Sequence, residues 1–151
     1  DESRLGVYGY SYGGFMSSWV VGHTDRFKAA VIGAPCINLS SMYGTSDIGI
    51  SFGERQWGGL RKDALDKYME RSPLTYASNV TTPVLLMHGE ADYRVPIEQG
   101  EQFFVTLKRL GKEIEFVRFP DSAHGFVRLG HPKLRVEYLA RVLGWFEKHL
   151  E

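Results

Sequence analysis

The sequence predicts an α/β fold, a parallel sheet of four strands with flanking helices. Three observations carry that prediction. Short, near-continuous apolar runs recur along the chain, as strands buried on both faces require. Between them, apolar residues repeat at helical spacing. A glycine-rich turn, Gly9-Tyr10-Ser11-Tyr12-Gly13, joins the first run to the first helical stripe. The 151 residues suffice for one domain with its own core.

The elements follow in order. Arg4 to Tyr8 reads as a short strand, and Gly13 to Val21 as a helix in which Phe15, Met16, Trp19 and Val20 recur. Phe27 to Gly33 is a second apolar run, stopped at Ala34-Pro35. Residues 36 to 80 are less regular, with one helix expected over Asp63 to Glu70 and breaks at Ser72-Pro73 and Thr82-Pro83. Val84 to Met87 is a third strand. Ile97, Phe103, Phe104, Leu107 and Leu110 form a helical stripe, with Gly111 where a C-terminal cap belongs. Glu113 to Phe119 is more amphipathic, as suits a strand nearer an edge. Leu139, Val142, Leu143, Phe146 and Leu150 mark a final helix. Strands alternating with helices argue for βαβ units.

Composition narrows the function. The 18 basic and 18 acidic residues cancel, which argues against nucleic acid or an anionic membrane as partner. No apolar run is long enough to span a bilayer, and no signal peptide is visible. Cys36 is the only cysteine, which favours a reducing, cytoplasmic setting. No metal-ligand spacing is present, and no cofactor is expected. The chain opens on Asp1 rather than Met, directly upstream of a strand, and reads as part of a longer protein.

The chemistry centres on Ser11. The pentapeptide Gly9 to Gly13 fits G-x-S-x-G between a strand and a helix, the setting in which such a turn holds a nucleophile. A strained turn that lifts a hydroxyl beyond the sheet leaves no room for side chains two residues away on either side. The helix that follows aims its positive end at the site, and the Tyr12 amide is placed to donate to an oxyanion. The alternative is a flexible turn without chemistry.

A serine hydroxyl needs a base, and the base an orienting acid, in chain order Ser, acid, His. The third strand runs into Met87-His88-Gly89-Glu90-Ala91-Asp92, the fourth into Pro120-Asp121-Ser122-Ala123-His124. Both loops leave the carboxyl edge of a parallel sheet, where sites of open α/β folds assemble. Asp92 is the favoured acid and His124 the favoured base. Glu90 is a rival acid, closer to the strand end. Asp121 reads as a turn former, His88 as a packed residue, and His23, His131 and His149 as surface. Arg94 reads as solvated, Cys36 as a small buried hydrophobe, and Trp19, Trp57 and Trp145 as packing residues.

Taken together, Gly9-Tyr-Ser-Tyr-Gly-Gly14, His88-Gly-Glu-Ala-Asp-Tyr-Arg-Val-Pro96 and Asp121-Ser-Ala-His-Gly-Phe126 resemble the prolyl oligopeptidase family, in particular its acylaminoacyl-peptidase and dipeptidyl-peptidase-like branch. Ser72-Pro-Leu-Thr-Tyr-Ala77 and Ile97 to Lys112 extend the likeness nearly from end to end. The resemblance implies an α/β-hydrolase fold and a serine peptidase acting through an acyl-enzyme on short or N-blocked peptides, without cofactor. It implies Ser11 as nucleophile, Asp92 as orienting acid, His124 as general base and Tyr12 as one oxyanion donor. Residues 1–151 would be the C-terminal portion of the catalytic domain, with the propeller and the first half of the sheet outside them. The activity of such a piece alone is in question, and its exposed first strand would favour self-association. A carboxylesterase-type hydrolase and a non-catalytic α/β binding module are the competing functions.

Overall fold

The computed structural model describes residues 1–151 as an α/β sheet protein. Four strands, β1 (Gly6–Tyr10), β2 (Ala29–Gly33), β3 (Val84–Gly89) and β4 (Ile114–Phe119), lie side by side in that order. All three pairings are parallel, with Val7 beside Ala30, Val31 beside Leu85 and Leu86 beside Phe116. The helices are α1 (Tyr12–Val21), α2 (Leu39–Thr45), α3 (Gly49–Trp57), α4 (Leu65–Glu70), α5 (Glu98–Arg109), α6 (Phe126–Leu129) and α7 (Pro132–Leu150). Short 3₁₀ turns cover Glu2–Arg4 and Pro73–Asn79. No helix is long and apolar enough to cross a membrane.

The two-residue alternation of a strand explains why the central runs are apolar throughout. Ala30, Ile32, Val84 and Leu86 face one side, where they pack with Val21, Phe103 and Leu107 from α1 and α5. Ala29, Val31, Leu85 and Met87 face the other, against Tyr138 and Trp145 of α7. Burying each of the larger side chains, Val, Ile, Leu and Met, contributes roughly 1.5–3 kcal/mol. A third cluster, built from Phe15, Met42, Trp57 and Tyr68, lies under α2 to α4.

The strands fall where the apolar runs predict, with boundaries shifted by up to two residues, and β4 is an edge strand. The final helix matches the expected stripe at Val142, Phe146 and Leu150 and differs at its two other leucines. Tyr138, Val142, Trp145 and Phe146 turn toward the sheet, whereas Leu139 and Leu143 stay 60% and 62% exposed. Large aromatic side chains reach the sheet from positions one residue away from the leucine stripe. His149 is half-buried against Trp145, ring centroids 4.3 Å apart, rather than on the surface.

Candidate active site

Every strand of a parallel sheet delivers its C-terminal loop to the same edge, so residues far apart in sequence meet there. Ser11 follows β1, Asp92 follows β3 and His124 follows β4. The Ser11 hydroxyl donates to His124 Nε2 at 2.8 Å. His124 Nδ1–H donates to Asp92 Oδ2 at 2.7 Å. Ser11 and His124 are 113 positions apart, and His124 and Asp92 are 32 apart.

The turn at Ser11 is strained. Its φ of 60° is unusual for a residue with a side chain and costs on the order of 1–3 kcal/mol. The surroundings hold it there: Ser11 N–H donates to Gly33 O at 2.9 Å, and Ser11 O accepts from Phe15 N at 2.9 Å. Two glycines make the turn fit. A Cβ at Gly9 would lie 2.1 Å from Gly13 O, and one at Gly14 would lie 2.4 Å from Gly33 O. Gly13 differs from expectation: a Cβ there would meet nothing within 4 Å. The tight packing falls one residue later, at Gly14, because α1 presses its first turn onto the end of β2. Tyr12 opens α1, so its amide belongs to the first turn, whose donors have no intrahelical acceptor.

Asp92 is only 3% exposed. Its Oδ1 accepts from the Arg94 and Val95 amides at 3.0 and 2.9 Å. Burial pushes the carboxyl up, but hydrogen bonds from His124 and the Val95 amide, with the polar N–H of His88 nearby, outweigh it and hold the group at about 2. The acid is therefore ionised at neutral pH.

The other acids lie elsewhere. Glu90 accepts from Arg118 Nε at 2.8 Å on the surface. Asp121 adopts a φ of 51°, as a turn former does. Arg94 is not simply solvated: its Nε and Nη2 donate to the two oxygens of Asp47 at 2.7 and 3.2 Å. Cys36 is buried, and burial with the Asp92 charge pushes its thiol up to about 12, which suits a packing residue. Trp57 and Trp145 are buried as expected, while Trp19 is half-buried and stacks on His23.

Two supports escape the sequence pattern. Tyr10 donates its hydroxyl to His124 O at 2.7 Å, tying the histidine loop to β1. Burial, reinforced by the Asp92 charge, pushes that phenol well up, so it remains a donor. Gly89 lets the acid loop touch the histidine loop: a Cβ there would lie 2.1 Å from Ser122 O. Only the strand–loop–strand register reveals such a contact.

Two cavities flank the Ser11 hydroxyl. One, of about 430 Å³, opens toward Tyr8, Tyr10 and Leu139. The other, of about 110 Å³, is lined by Tyr12, Cys36, Met42, Ile48, Phe52 and Arg94 among others. A hydroxyl bonded to an imidazole, with an anion-favouring helix end beside it and an apolar cleft adjoining, is an arrangement suited to acyl transfer.

Known proteins share this arrangement of sequence. The model of the prolyl oligopeptidase family matches residues 1–151. An uncharacterized peptidase of Bacillus subtilis, YuxL, is 50% identical over 150 residues, covering 99% of this chain and 23% of that protein. The acylaminoacyl peptidase of Pyrococcus horikoshii superposes with a TM-score of 0.94 at 36% identity, over 99% of this chain and 24% of that one. An acylaminoacyl peptidase in complex with Z-Gly-Gly-Phe-chloromethyl ketone has a TM-score of 0.93 at 36% identity, with the same two coverages. The chain thus spans about a quarter of the length of the proteins it matches.

Proposed function

Since the chain belongs to the prolyl oligopeptidase family, we propose that it carries the reacting groups of a serine peptidase that cleaves short or N-blocked peptides. The observation that carries the proposal is the continuous hydrogen-bond path from Ser11 Oγ through His124 to Asp92. His124 Nε2 takes the hydroxyl proton as Ser11 Oγ attacks the substrate carbonyl carbon. The C–N bond then breaks, and the leaving amine receives that proton from His124. Water, deprotonated by the same imidazole, releases the acyl group and restores Ser11. Asp92, held ionised, orients His124 and stabilises its charged form. The Tyr12 amide, at the amino end of α1, donates to the transient oxyanion.

The cleft beside Ser11 favours an apolar side chain at the acyl side of the bond. Tyr12 and Phe52, ring centroids 6.5 Å apart, form one wall, and Met42 and Ile48 contribute further apolar surface. This matches a relative captured with a phenylalanine chloromethyl ketone. The same reading takes residues 1–151 as the C-terminal portion of the family's catalytic domain, and it includes self-association through β1, whose outer edge is unpaired in this sheet.

Hydrolysis of an N-acetyl-phenylalanyl anilide and of its N-acetyl-aspartyl counterpart tests the proposal. Turnover of the first in preference to the second, abolished in Ser11→Ala, is the expected result. Turnover that survives Ser11→Ala would refute it.

A further inference from the structure

His88 is fully buried at the end of β3, yet the path from Ser11 to Asp92 does not pass through it. Its Nε2 lies 2.8 Å from Val95 O, a group that can only accept, so Nε2 bears a hydrogen. The same nitrogen lies 3.6 Å from Asp92 Oδ2, too far for a full hydrogen bond but close enough for the N–H dipole to act on that oxygen. Asp92 Oδ2 is the atom that accepts the hydrogen bond from His124 Nδ1–H. The Val95 peptide group completes a bracket: its carbonyl accepts from His88, while its amide donates to Asp92 Oδ1.

The other face of the imidazole is shaped with equal care. His88 Nδ1 has no hydrogen-bond partner. An Nδ1–H there would be a buried donor without an acceptor, so the neutral Nε2–H tautomer is the one the site accommodates. Helix α5 leaves room for the ring at Gly100, where a Cβ would lie 2.8 Å from Nδ1. A residue that merely filled the core would not require a donor aimed at Val95 O and Asp92.

We propose that His88 is a positioning residue for the acid, fixing the 89–95 loop through its Nε2–H···O=C bond to Val95 and holding that polar N–H 3.6 Å from Asp92 Oδ2, so that this oxygen meets His124. The inference rests on the roles given above to Ser11, Asp92 and His124. It assigns to a buried histidine the orientation of the carboxylate, one step removed from the reacting atoms.

The test compares His88→Gln, which keeps a donor near the Nε2 position, with His88→Leu, which keeps bulk alone. Two readouts are taken on each: the far-downfield proton resonance of the His124 Nδ1–H···Asp92 bond, and the rate at which a fluorophosphonate phosphonylates Ser11 with loss of fluoride. His88→Leu is expected to lose the resonance and slow phosphonylation by about tenfold to a hundredfold, the scale of a misplaced reacting group. His88→Gln is expected to keep the resonance and react within about threefold of the unaltered protein, given the geometry retained. Resonance and rate unchanged in His88→Leu would overturn the inference, as would a folded His88→Gln that fails as His88→Leu does. Gly100→Ala displaces the imidazole without removing it and is expected to lose the resonance as well; it decides the matter if His88→Leu does not fold. An unaltered protein that shows the resonance but is not phosphonylated would refute the proposed function, and the resonance alone would then decide the role of His88.

Discussion

The two edges of the sheet are built differently. β4 shows water a charged edge: Glu115 and Arg118 are exposed, Arg118 reaches Glu90 and Glu101 at 2.8 and 2.6 Å, and Lys148 from α7 lies 3.5 Å from Glu115. β1 has no charged residue between Gly6 and Tyr10. Tyr8 on β1 is 49% exposed, and Leu139 and Leu143 on α7 are exposed too. Charge on an edge strand discourages further pairing, and an uncharged edge invites it. The halves of the candidate site share the contrast. Asp92 and His124 stand on the closed side, joined by one hydrogen bond, while Ser11 stands at the end of β1, held by glycine packing and a strained turn. Ser11 is fixed from behind by β2 and α1, through the Gly33 carbonyl and the Phe15 amide.

Changes to the closed half are expected to have the largest effect. Asp92→Asn removes the charge that orients His124, and turnover is expected to fall by about 10⁴-fold, the magnitude known for the corresponding change in a serine peptidase triad. Steady-state kinetics on the N-acetyl-phenylalanyl anilide measures it. A loss under tenfold would mean that the closed half does not govern the nucleophile.

The elbow is next. Gly14→Ala drives a Cβ into Gly33 O and is expected to destabilise by about 1–3 kcal/mol. Gly13→Ala meets open space and is expected to be neutral or stabilising by up to about 1 kcal/mol. Urea denaturation of the two variants separates them, and equal losses would mean that the turn is not held by β2.

Acid should loosen the closed half. The Asp92 carboxyl is held at about 2 in the folded chain against 3.8 when free. A lowered value stabilises the fold fully above the free value, and that contribution is lost as pH falls through about 2. Between pH of roughly 5 and 2 the protein is expected to lose about 2 kcal/mol more stability than Asp92→Asn does. Denaturant titrations at several pH values follow the difference, and parallel curves would contradict it.

The smallest expected effect concerns the open edge. Tyr8→Lys gives β1 the kind of charge β4 already has. Sedimentation velocity is expected to show self-association of the unaltered protein weakened in the variant. A protein that stays monomeric at high concentration would remove the proposed partner of β1.

Much of this was legible in the sequence, and the residues explain why. The strands were visible because burial on both faces leaves little room for polar side chains, as in Val84 to Met87. The three polar groups of the site were visible because each lies within three residues of a glycine in the loop or turn that follows a strand. Helices α2 and α3 were not, because their buried residues, Leu39, Met42 and Trp57, pack against Phe15 of α1, Tyr68 of α4 and loop residues rather than against the sheet. The stripe on α7 is legible in part: Val142, Phe146 and Leu150 pack on the core, but Tyr138 and Trp145 reach it in place of Leu139 and Leu143. The Tyr10–His124 bond and the Arg94–Asp47 pair join segments whose approach only the folded chain defines.

The most direct test of the central claim is to treat the protein with a fluorophosphonate and map the adduct by mass spectrometry. The account predicts one adduct, on Ser11, absent in Ser11→Ala and formed far more slowly in His124→Ala. Labelling that persists in Ser11→Ala, or that proceeds at an unchanged rate without the imidazole, would contradict it.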